Sequence, residues 1–285
     1  MCTAISYLQY FGRNLDLDRH YGEQVTIVPE NFPLAGMATH SAIIGMATVL
    51  EGYPLFFEGT NEAGLSVAAL NFPGNAVYHK AQSGKENIPS YDLIAYVLTR
   101  CKTCRDARQL LGNSVITDAQ FGNYPATPLH WMIADREESL VVESTAEGLQ
   151  LYDNPVGVMT NSPPFTAQLE NLRNHQALHG AFDSTARFIR AAFIRNHTKD
   201  CDVSHFFRML DAVSVPEGCI KTEIGYQRTL YSCCCDSERG IYYYTTEHNR
   251  QITAVDMHNA DLEGDSIAQY PLVDKEQIHF LLPQA

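Results

Sequence analysis

The alternation of apolar and polar positions predicts a series of short strands through the first seventy residues of the chain. Residues 3–10 are rich in β-forming side chains and alternate in part, and Gly12 follows where a tight turn would reverse the strand. Four more runs have the length and composition of strands separated by turn-forming residues, and they cover residues 25–28, 42–50, 53–57 and 65–71. This part of the chain therefore predicts an antiparallel sheet.

Apolar residues with helical spacing first appear after Pro89. Ser162 and Pro163 have the form of an N-cap followed by a proline at the first helical position. The predicted helices cover residues 89–98, 103–111, 162–174, 184–195 and 203–213. Further strands are predicted at residues 129–134, 139–143, 156–160, 230–235, 241–246 and 252–257. This order lacks the regular alternation of a parallel sheet, and it predicts one α+β domain over residues 1–285, with two antiparallel sheets packed face to face under helices.

Composition and charge limit the partners of the chain. Hydrophobic residues make up 45% and charged residues 19%, which indicates a folded protein. The net charge of −13 argues against a nucleic-acid partner and against an anionic membrane surface. The first residues lack the basic and apolar regions of a secretion signal, and no apolar run approaches the ~20 residues of a membrane helix. We expect a cytoplasmic protein that binds no membrane.

Cys2 is the first candidate for chemistry. Methionine aminopeptidases generally remove Met1 before a residue as small as cysteine, which would leave Cys2 with both a thiol and a free α-amine. That amine, with an ordinary pKa of about 7.7–8.0, can accept the proton of the thiol near neutral pH, so no histidine is required. Cysteine is in this respect the thiol counterpart of an N-terminal threonine nucleophile.

Arg13 and Asp16 follow on the returning segment of the predicted hairpin. There, Arg13 would favour the thiolate and Asp16 could hold the amine. The alternative is a surface arginine and a surface aspartate on an edge hairpin. Amide hydrolysis also needs dipoles that face the oxyanion, and the side chains of Asn71 and Asn161 are suitable donors. Their alternative roles are a turn residue and a helix-start residue.

Five short motifs resemble the choloylglycine hydrolase family, which contains bile salt hydrolases and penicillin V acylases. They are Met1-Cys2-Thr3, Phe11-Gly12-Arg13-Asn14-Leu15-Asp16, Asn71-Phe72-Pro73, Thr160-Asn161-Ser162-Pro163 and Arg187-Phe188-Ile189-Arg190. The resemblance implies an N-terminal-nucleophile hydrolase with a four-layer αββα fold. It also implies that Cys2, Arg13, Asp16, Asn71, Asn161 and Arg187 are catalytic, and that Cys2, Arg13 and Asn71 contact the substrate. Without the family, Arg187 would be a charge on the wet face of an amphipathic helix.

The substrate implied by the resemblance is a glycine- or taurine-conjugated bile acid, because asparagine rather than tyrosine stands at position 71. A penicillin V acylase or an acyl-homoserine-lactone acylase is the alternative within the family. We expect no cofactor and no metal. Family members form homo-oligomers, commonly tetramers. Only twenty-five residues separate Asn161 from Arg187, where the family usually has a long loop, so the sequence does not decide how many chains assemble.

A noncatalytic thiol or zinc-binding module is the alternative from another class. It would use Cys101 and Cys104, which have the spacing of a redox or zinc pair, together with residues 233–235, three successive cysteines. Adjacent strand residues face opposite ways, so these three cannot all bind one ion without distortion. His130 is expected to be a core histidine, and His175 and His179 show no companion carboxylate or metal-ligand spacing.

Overall fold

The computed structural model of the chain describes residues 1–174, 182–223 and 225–278. The strands of the first half are β1 (Cys2–Tyr7), β2 (Tyr10–Leu17), β3 (Gln24–Val28), β4 (Ile43–Leu50), β5 (Tyr53–Asn61), β6 (Ser66–Asn71), β7 (Glu86–Pro89), β8 (Ser114–Thr117) and β9 (Leu129–Ala134). Those of the second half are β10 (Ser139–Thr145), β11 (Gly148–Asp153), β12 (Val158–Thr160), β13 (Ile220–Lys221), β14 (Tyr226–Asp236), β15 (Ile241–Thr246), β16 (Thr253–Asp256) and β17 (Ala268–Tyr270). The helices are α1 (Leu93–Leu98), α2 (Cys104–Leu111), α3 (Phe165–Arg173), α4 (Ser184–His197) and α5 (Val203–Asp211).

Two large antiparallel sheets form the centre of the fold. Sheet 1 has the order β12-β1-β2-β14-β15-β16, with β13 paired to β14, and sheet 2 has the order β11-β10-β9-β6-β5-β4-β3-β17. Helices α4 and α5 contact the strands of sheet 1, and α1 and α2 contact those of sheet 2. The predicted four-layer αββα sandwich is confirmed.

Apolar residues fill the sandwich in two clusters. One includes Ile5, Leu15 and Met132 and extends from between the sheets to the helices on sheet 1, where it includes Phe188 and Phe206. The other lies between sheet 2 and its helices. Burial of apolar surface contributes about 25 cal/mol per Å² to the free energy of folding. Each cluster removes apolar side chains from water, so burial on both sheets stabilises the packing of the layers. No helix within the described residues is long and apolar enough to cross a membrane.

The first hairpin turns at a different place from the predicted one. Residues Leu8 and Gln9 form its two-residue loop between the paired Tyr7 and Tyr10, and Leu8 has the positive φ (55°) that such loops require. Gly12 lies inside β2 instead. A side chain there would meet the Cys233 carbonyl oxygen at 2.0 Å, so glycine permits the close approach of β14.

One further prediction about an element needs correction, and several strands were not predicted. Helix α3 begins at Phe165 with Pro164 in the N-cap position, so Pro163 is not its first residue. The Ser162 hydroxyl donates to the Pro73 carbonyl at 2.9 Å and ties this segment to the end of β6. The strands β7, β8, β11, β13 and β17 were not predicted; all except β11 have four residues or fewer.

Candidate active site

A cavity of about 440 Å³ opens beside the start of β1. Cys2, Arg13 and Asn71 line one part of it, so three of the six predicted site residues share one space. The remaining wall is largely apolar, and it includes Leu15, Leu17, Leu50, Leu55, Phe56 and Phe57. Such a cavity suits an apolar ligand whose reactive group reaches Cys2.

Cys2 is fixed at the chain start by strands on both sides. It pairs with Leu15 of β2, and its neighbour Thr3 pairs with Thr160 of β12, so Cys2 is only 2% exposed. The residue after Thr160 is Asn161, and its Oδ1 accepts a hydrogen bond from the Cys2 backbone nitrogen at 2.5 Å. The nitrogen that would become the α-amine is thus already held by a predicted site residue.

The side-chain amide of Asn161 links three parts of the site. Its Oδ1 also accepts from Arg187 Nη2 at 3.1 Å, and its Nδ2 donates to the Asn71 carbonyl at 2.7 Å. The Asn161 carbonyl accepts from Gln168 on α3 at 2.5 Å, which fixes the backbone of this segment. Asn161 therefore connects β12, the end of β6 and α4.

Arg187 is fully buried, so the alternative of a charge on a wet helix face is wrong. It enters from α4, and Nη1 donates to the Cys2 carbonyl and to the Thr3 hydroxyl, each at 2.6 Å. Nη1 also lies 3.6 Å from Asp16 Oδ2. Burial lowers the pKa of Arg187, and the nearby Asp16 carboxylate opposes that shift.

Asp16 is also fully buried, which excludes the surface hairpin as its setting. Its Oδ1 accepts from the Thr229 hydroxyl at 2.5 Å. The backbone of Asp16 holds Met1, because the Asp16 nitrogen donates to the Met1 carbonyl at 2.8 Å and the Met1 amine donates to the Asp16 carbonyl. Burial raises the pKa of the Asp16 carboxyl, and the positive charge of Arg187 works against it.

The Met1 amine has a second acceptor, Gln227 Oε1, at 3.1 Å. Burial lowers the pKa of this amine. Met1 thus occupies the position next to the Cys2 nitrogen in this structure.

Arg13 extends from β2 toward sheet 2 and is likewise buried. Its Nη1 donates to the carbonyls of Phe57 and Ala69, at 3.0 and 2.7 Å. Burial works to lower the pKa of Arg13, but the acidic groups around it, Cys2 first and then Tyr231 and Glu58, outweigh burial and raise it. Arg13 and Cys2 thus line the same cavity, with the thiol among the acidic groups that raise the pKa of Arg13.

Sequence reasoning missed Thr3, Gln168 and Thr229, which bond predicted site residues, and Gln227, which accepts a hydrogen bond from the Met1 amine. Thr3 stands beside Cys2 in the sequence, and this adjacency was the only available signal. The other three come from elements far along the chain, so only the fold brings them to the site. His175 and His179 lie outside the described residues, whereas His130 is a buried core residue, as predicted, stacked on Phe72.

The cysteines named for a thiol or zinc module do not come together. Cys101 and Cys104 belong to the cluster between sheet 2 and its helices, while Cys233 and Cys235 belong to the other cluster. Burial raises the pKa of both Cys101 and Cys235 to about 12, which disfavours metal-binding thiolates. The described residues contain no group of three or more His, Cys, Asp or Glu side chains placed to hold a metal ion.

A cysteine that starts a strand of one sheet in an αββα sandwich, with its backbone nitrogen held by an asparagine, defines the class of N-terminal-nucleophile amide hydrolases. The sequence model of the linear amide C–N hydrolases of the choloylglycine hydrolase family matches residues 2–181 and 176–270. The chain belongs to this family, and it is an amide C–N hydrolase.

Similar proteins cover the chain almost completely. A bile salt hydrolase/transferase from Lactiplantibacillus plantarum is 38% identical over 98% of this chain and 99% of its own length. One from Clostridium perfringens is 35% identical over 95% of this chain and 96% of its own. A crystal structure of the C2A variant of the conjugated bile acid hydrolase from Clostridium perfringens superimposes with a TM-score of 0.93 at 33% identity, over 99% of this chain and all of that one.

The fold extends to more distant hydrolases. The structure of penicillin V acylase from Agrobacterium tumefaciens has a TM-score of 0.77 at 22% identity, over 95% of this chain and 91% of that one. At this identity the likeness concerns the fold.

Proposed function

We propose that the chain is a bile salt hydrolase that cleaves the amide bond of glycine- or taurine-conjugated bile acids. The observation that carries the proposal is the apolar cavity that reaches Cys2. Among the described residues that line it, Arg13 alone is charged, so the cavity favours an apolar acyl group over a polar one. The full-length similarity to bile salt hydrolases supports the same substrate class.

Removal of Met1 turns the Cys2 backbone nitrogen into an α-amine. Asn161 Oδ1 already accepts a hydrogen bond from that nitrogen, and Arg187 holds the Cys2 carbonyl. The amine would therefore be oriented without rearrangement of the site. In this proposal Asp16 balances the charge of Arg187, 3.6 Å away, and orients the amine, since its backbone already bonds the residue at the chain start.

The reaction would proceed in two halves through a thioester. The Cys2 thiol transfers its proton to its own α-amine, and the thiolate attacks the substrate carbonyl carbon to form a tetrahedral intermediate. The C–N bond then breaks, and the α-ammonium returns the proton to the departing amine of glycine or taurine. Water, deprotonated by the same α-amine, attacks the thioester and releases the bile acid and the Cys2 thiol.

Asn71 and Asn161 are proposed to stabilise the oxyanion of the tetrahedral intermediate. Asn71 lines the cavity beside Cys2, so its side-chain amide can face the reacting carbonyl. One hydrogen of Asn161 Nδ2 is bonded to the Asn71 carbonyl, and an amide nitrogen carries a second hydrogen that is proposed to bond the oxyanion. Arg13 is proposed to favour the thiolate and to contact the substrate.

A release assay on the Met1-free enzyme tests this function. Glycocholate or taurocholate should be cleaved with a kcat/KM at least tenfold above that for penicillin V. The variant Cys2→Ser should lose about a thousandfold in kcat/KM, because an alcohol ionises far less readily than a thiol. Cys219→Ser, which changes an exposed cysteine, is the matched control and should keep the wild-type rate. Faster cleavage of penicillin V would indicate that the chain is a penicillin V acylase. A Cys2→Ser enzyme with the wild-type rate would overturn the mechanism.

We also propose a cytoplasmic homo-oligomer of single-domain chains, on the basis of the family resemblance. Because the connection between Asn161 and Arg187 is short, the number of chains in the oligomer is the part of this proposal to be tested. Light scattering coupled to size-exclusion chromatography should give a mass that is a multiple of the 31.8 kDa chain. A monomer at micromolar concentration would contradict the proposal.

A further inference from the structure

A β-bulge changes which residues of β5 face the space between the sheets. Met46 pairs with Glu58 and the next residue, Ala47, pairs with Phe56, so Phe57 is an extra residue in β5. Since side chains alternate along a strand, an inserted residue reverses the alternation beyond it. The bulge turns Glu58 toward sheet 1, where it is 2% exposed.

Glu58 is bound there entirely by side chains of sheet 1. Its Oε2 accepts from the Tyr231 hydroxyl at 2.8 Å, and its Oε1 accepts from the Tyr242 hydroxyl at 2.5 Å. Arg13 Nη1 lies 3.7 Å from Oε2. Burial raises the pKa of the Glu58 carboxyl, while the charge of Arg13 and the hydrogen bonds from the two tyrosines oppose that shift and favour the carboxylate. The titratable groups that face it are Arg13 on β2, Tyr231, Cys233 and Cys235 on β14, and Tyr242 on β15.

Arg13 is held at the point where two strands of sheet 2 separate. The pairing of β5 with β6 ends at Glu58 and Ala68, and Arg13 Nη1 donates to the first carbonyls beyond that pair, those of Phe57 and Ala69. Its Nη2 is buried and has no hydrogen-bond partner within the described residues. The guanidinium is thus anchored through Nη1 beside Glu58, while Arg13 lines the same cavity as Cys2.

We propose that Glu58 is a positioning residue that fixes the orientation of Arg13 and balances its charge, and thereby sets how readily Cys2 ionises. This inference rests on the proposed nucleophile, Cys2. It assigns a purpose to the bulge at Phe57, because in a strand with regular alternation Glu58 would share the face of Phe56, which packs toward the helices of sheet 2. The action passes through Arg13, since the structure places Glu58 against Arg13 and outside the residues that line the cavity.

The first test compares Glu58→Gln with Glu143→Gln in the Met1-free enzyme. Glu143 is an equally buried glutamate on β10 that contacts His130 and the Phe165 nitrogen instead of Arg13. Iodoacetamide alkylation of Cys2 is followed against pH by peptide mass mapping. Glu58→Gln removes the anion beside Arg13, so the midpoint of alkylation should move about 0.5 to 1 pH unit lower. Glu143→Gln should leave it at the wild-type value. An unshifted midpoint in folded Glu58→Gln, or an equal shift in both variants, would overturn the proposal.

A second variant, Glu58→Asp, tests the role of Glu58 if Glu58→Gln does not fold. Glu58→Asp retains the charge but withdraws the carboxylate from Arg13 and both tyrosines. It should lower kcat about fivefold or more and change KM less, because the apolar contacts to the substrate persist while the guanidinium of Arg13 loosens beside Cys2. A wild-type kcat would overturn the proposal. The alkylation experiment needs no bile salt, so failure of wild type to cleave glycocholate would refute the proposed function and leave the role of Glu58 separately testable.

Discussion

At the residue scale, the site is built around one backbone nitrogen and the thiol next to it. Asn161 and Arg187 hold the atoms on either side of the Cys2 α-carbon, at 2.5 and 2.6 Å. Both are buried, so the substrate does not need to order them. This arrangement allows a nucleophile and its base to occupy a single residue.

Asn161→Ala tests whether the asparagine acts on the Cys2 nitrogen. The change should lower kcat by about a hundredfold, near the ~2.7 kcal/mol that one oxyanion-hole donor contributes in comparable sites. Asn154→Ala is the matched control, because Asn154 is equally buried (4%) but donates to the Val158 carbonyl outside the cavity. Both variants should lose about 1–3 kcal/mol of stability, and only Asn161→Ala should lose activity. An equal loss of kcat in both would indicate a purely structural role.

Asp92 gives a pH dependence of stability. Burial raises its pKa from the ordinary 3.8 to about 6, although the Tyr53 hydroxyl donates to it at 2.5 Å. The folded state therefore binds more protons than the unfolded state between pH 4 and 6, and this contribution to stability is lost as pH rises through 6. Asp92→Asn should raise the free energy of unfolding at pH 7 by about 1–2 kcal/mol and leave it nearly unchanged at pH 4.

Urea denaturation at the two pH values measures the effect of Asp92→Asn. Asp265→Asn, which changes an exposed carboxylate, is the control and should follow the wild-type curve. A gain at pH 4 as large as that at pH 7 would contradict the linkage.

At the element scale, the pattern of the sequence predicted most strands and helices but not the details that form the site. The hairpin of β1 and β2 was expected, while its turn was placed at Gly12 instead of Leu8 and Gln9. The error has a physical cause: a glycine can serve a turn or a close approach, and only the distance to β14 distinguishes them. The bulge at Phe57 is equally invisible in sequence, because no residue type marks it.

Gly12→Ala tests the close approach of β2 and β14. Its Cβ would lie 2.0 Å from the Cys233 carbonyl oxygen, a backbone atom that cannot rotate away. We expect a loss of about 3 kcal/mol or more in the free energy of unfolding. At Gly22, where φ is +74° and a Cβ meets nothing within 4 Å, the same change should cost only about 1 kcal/mol of backbone strain. Equal losses, measured by urea denaturation, would show that contact with β14 is not the reason for glycine.

At the scale of the whole molecule, the αββα sandwich brings together residues that are far apart in the chain, such as Arg187 and Cys2, 185 positions apart, and Thr229 and Asp16, 213 positions apart. The six motif residues could be named from the sequence because each stands in a recognisable local pattern. Thr229, Gln227 and Glu58 could not, since their contacts with Asp16, Met1 and Arg13 form only when β14 and β5 fold against the start of the chain. The sequence pattern around Arg187 is the same whether its helix position faces water or packs against a sheet. Only its burial in the structure shows that the side chain is not on an exposed helix face.

Intact-mass spectrometry combined with activity tests the central claim most directly. The protein is prepared with and without inhibition of methionine aminopeptidase, which gives samples with different fractions of chains that begin at Cys2. We predict that the rate of glycocholate cleavage rises in proportion to the Met1-free fraction and extrapolates to zero when every chain retains Met1. Full activity in a sample whose mass shows Met1 on every chain would contradict the account.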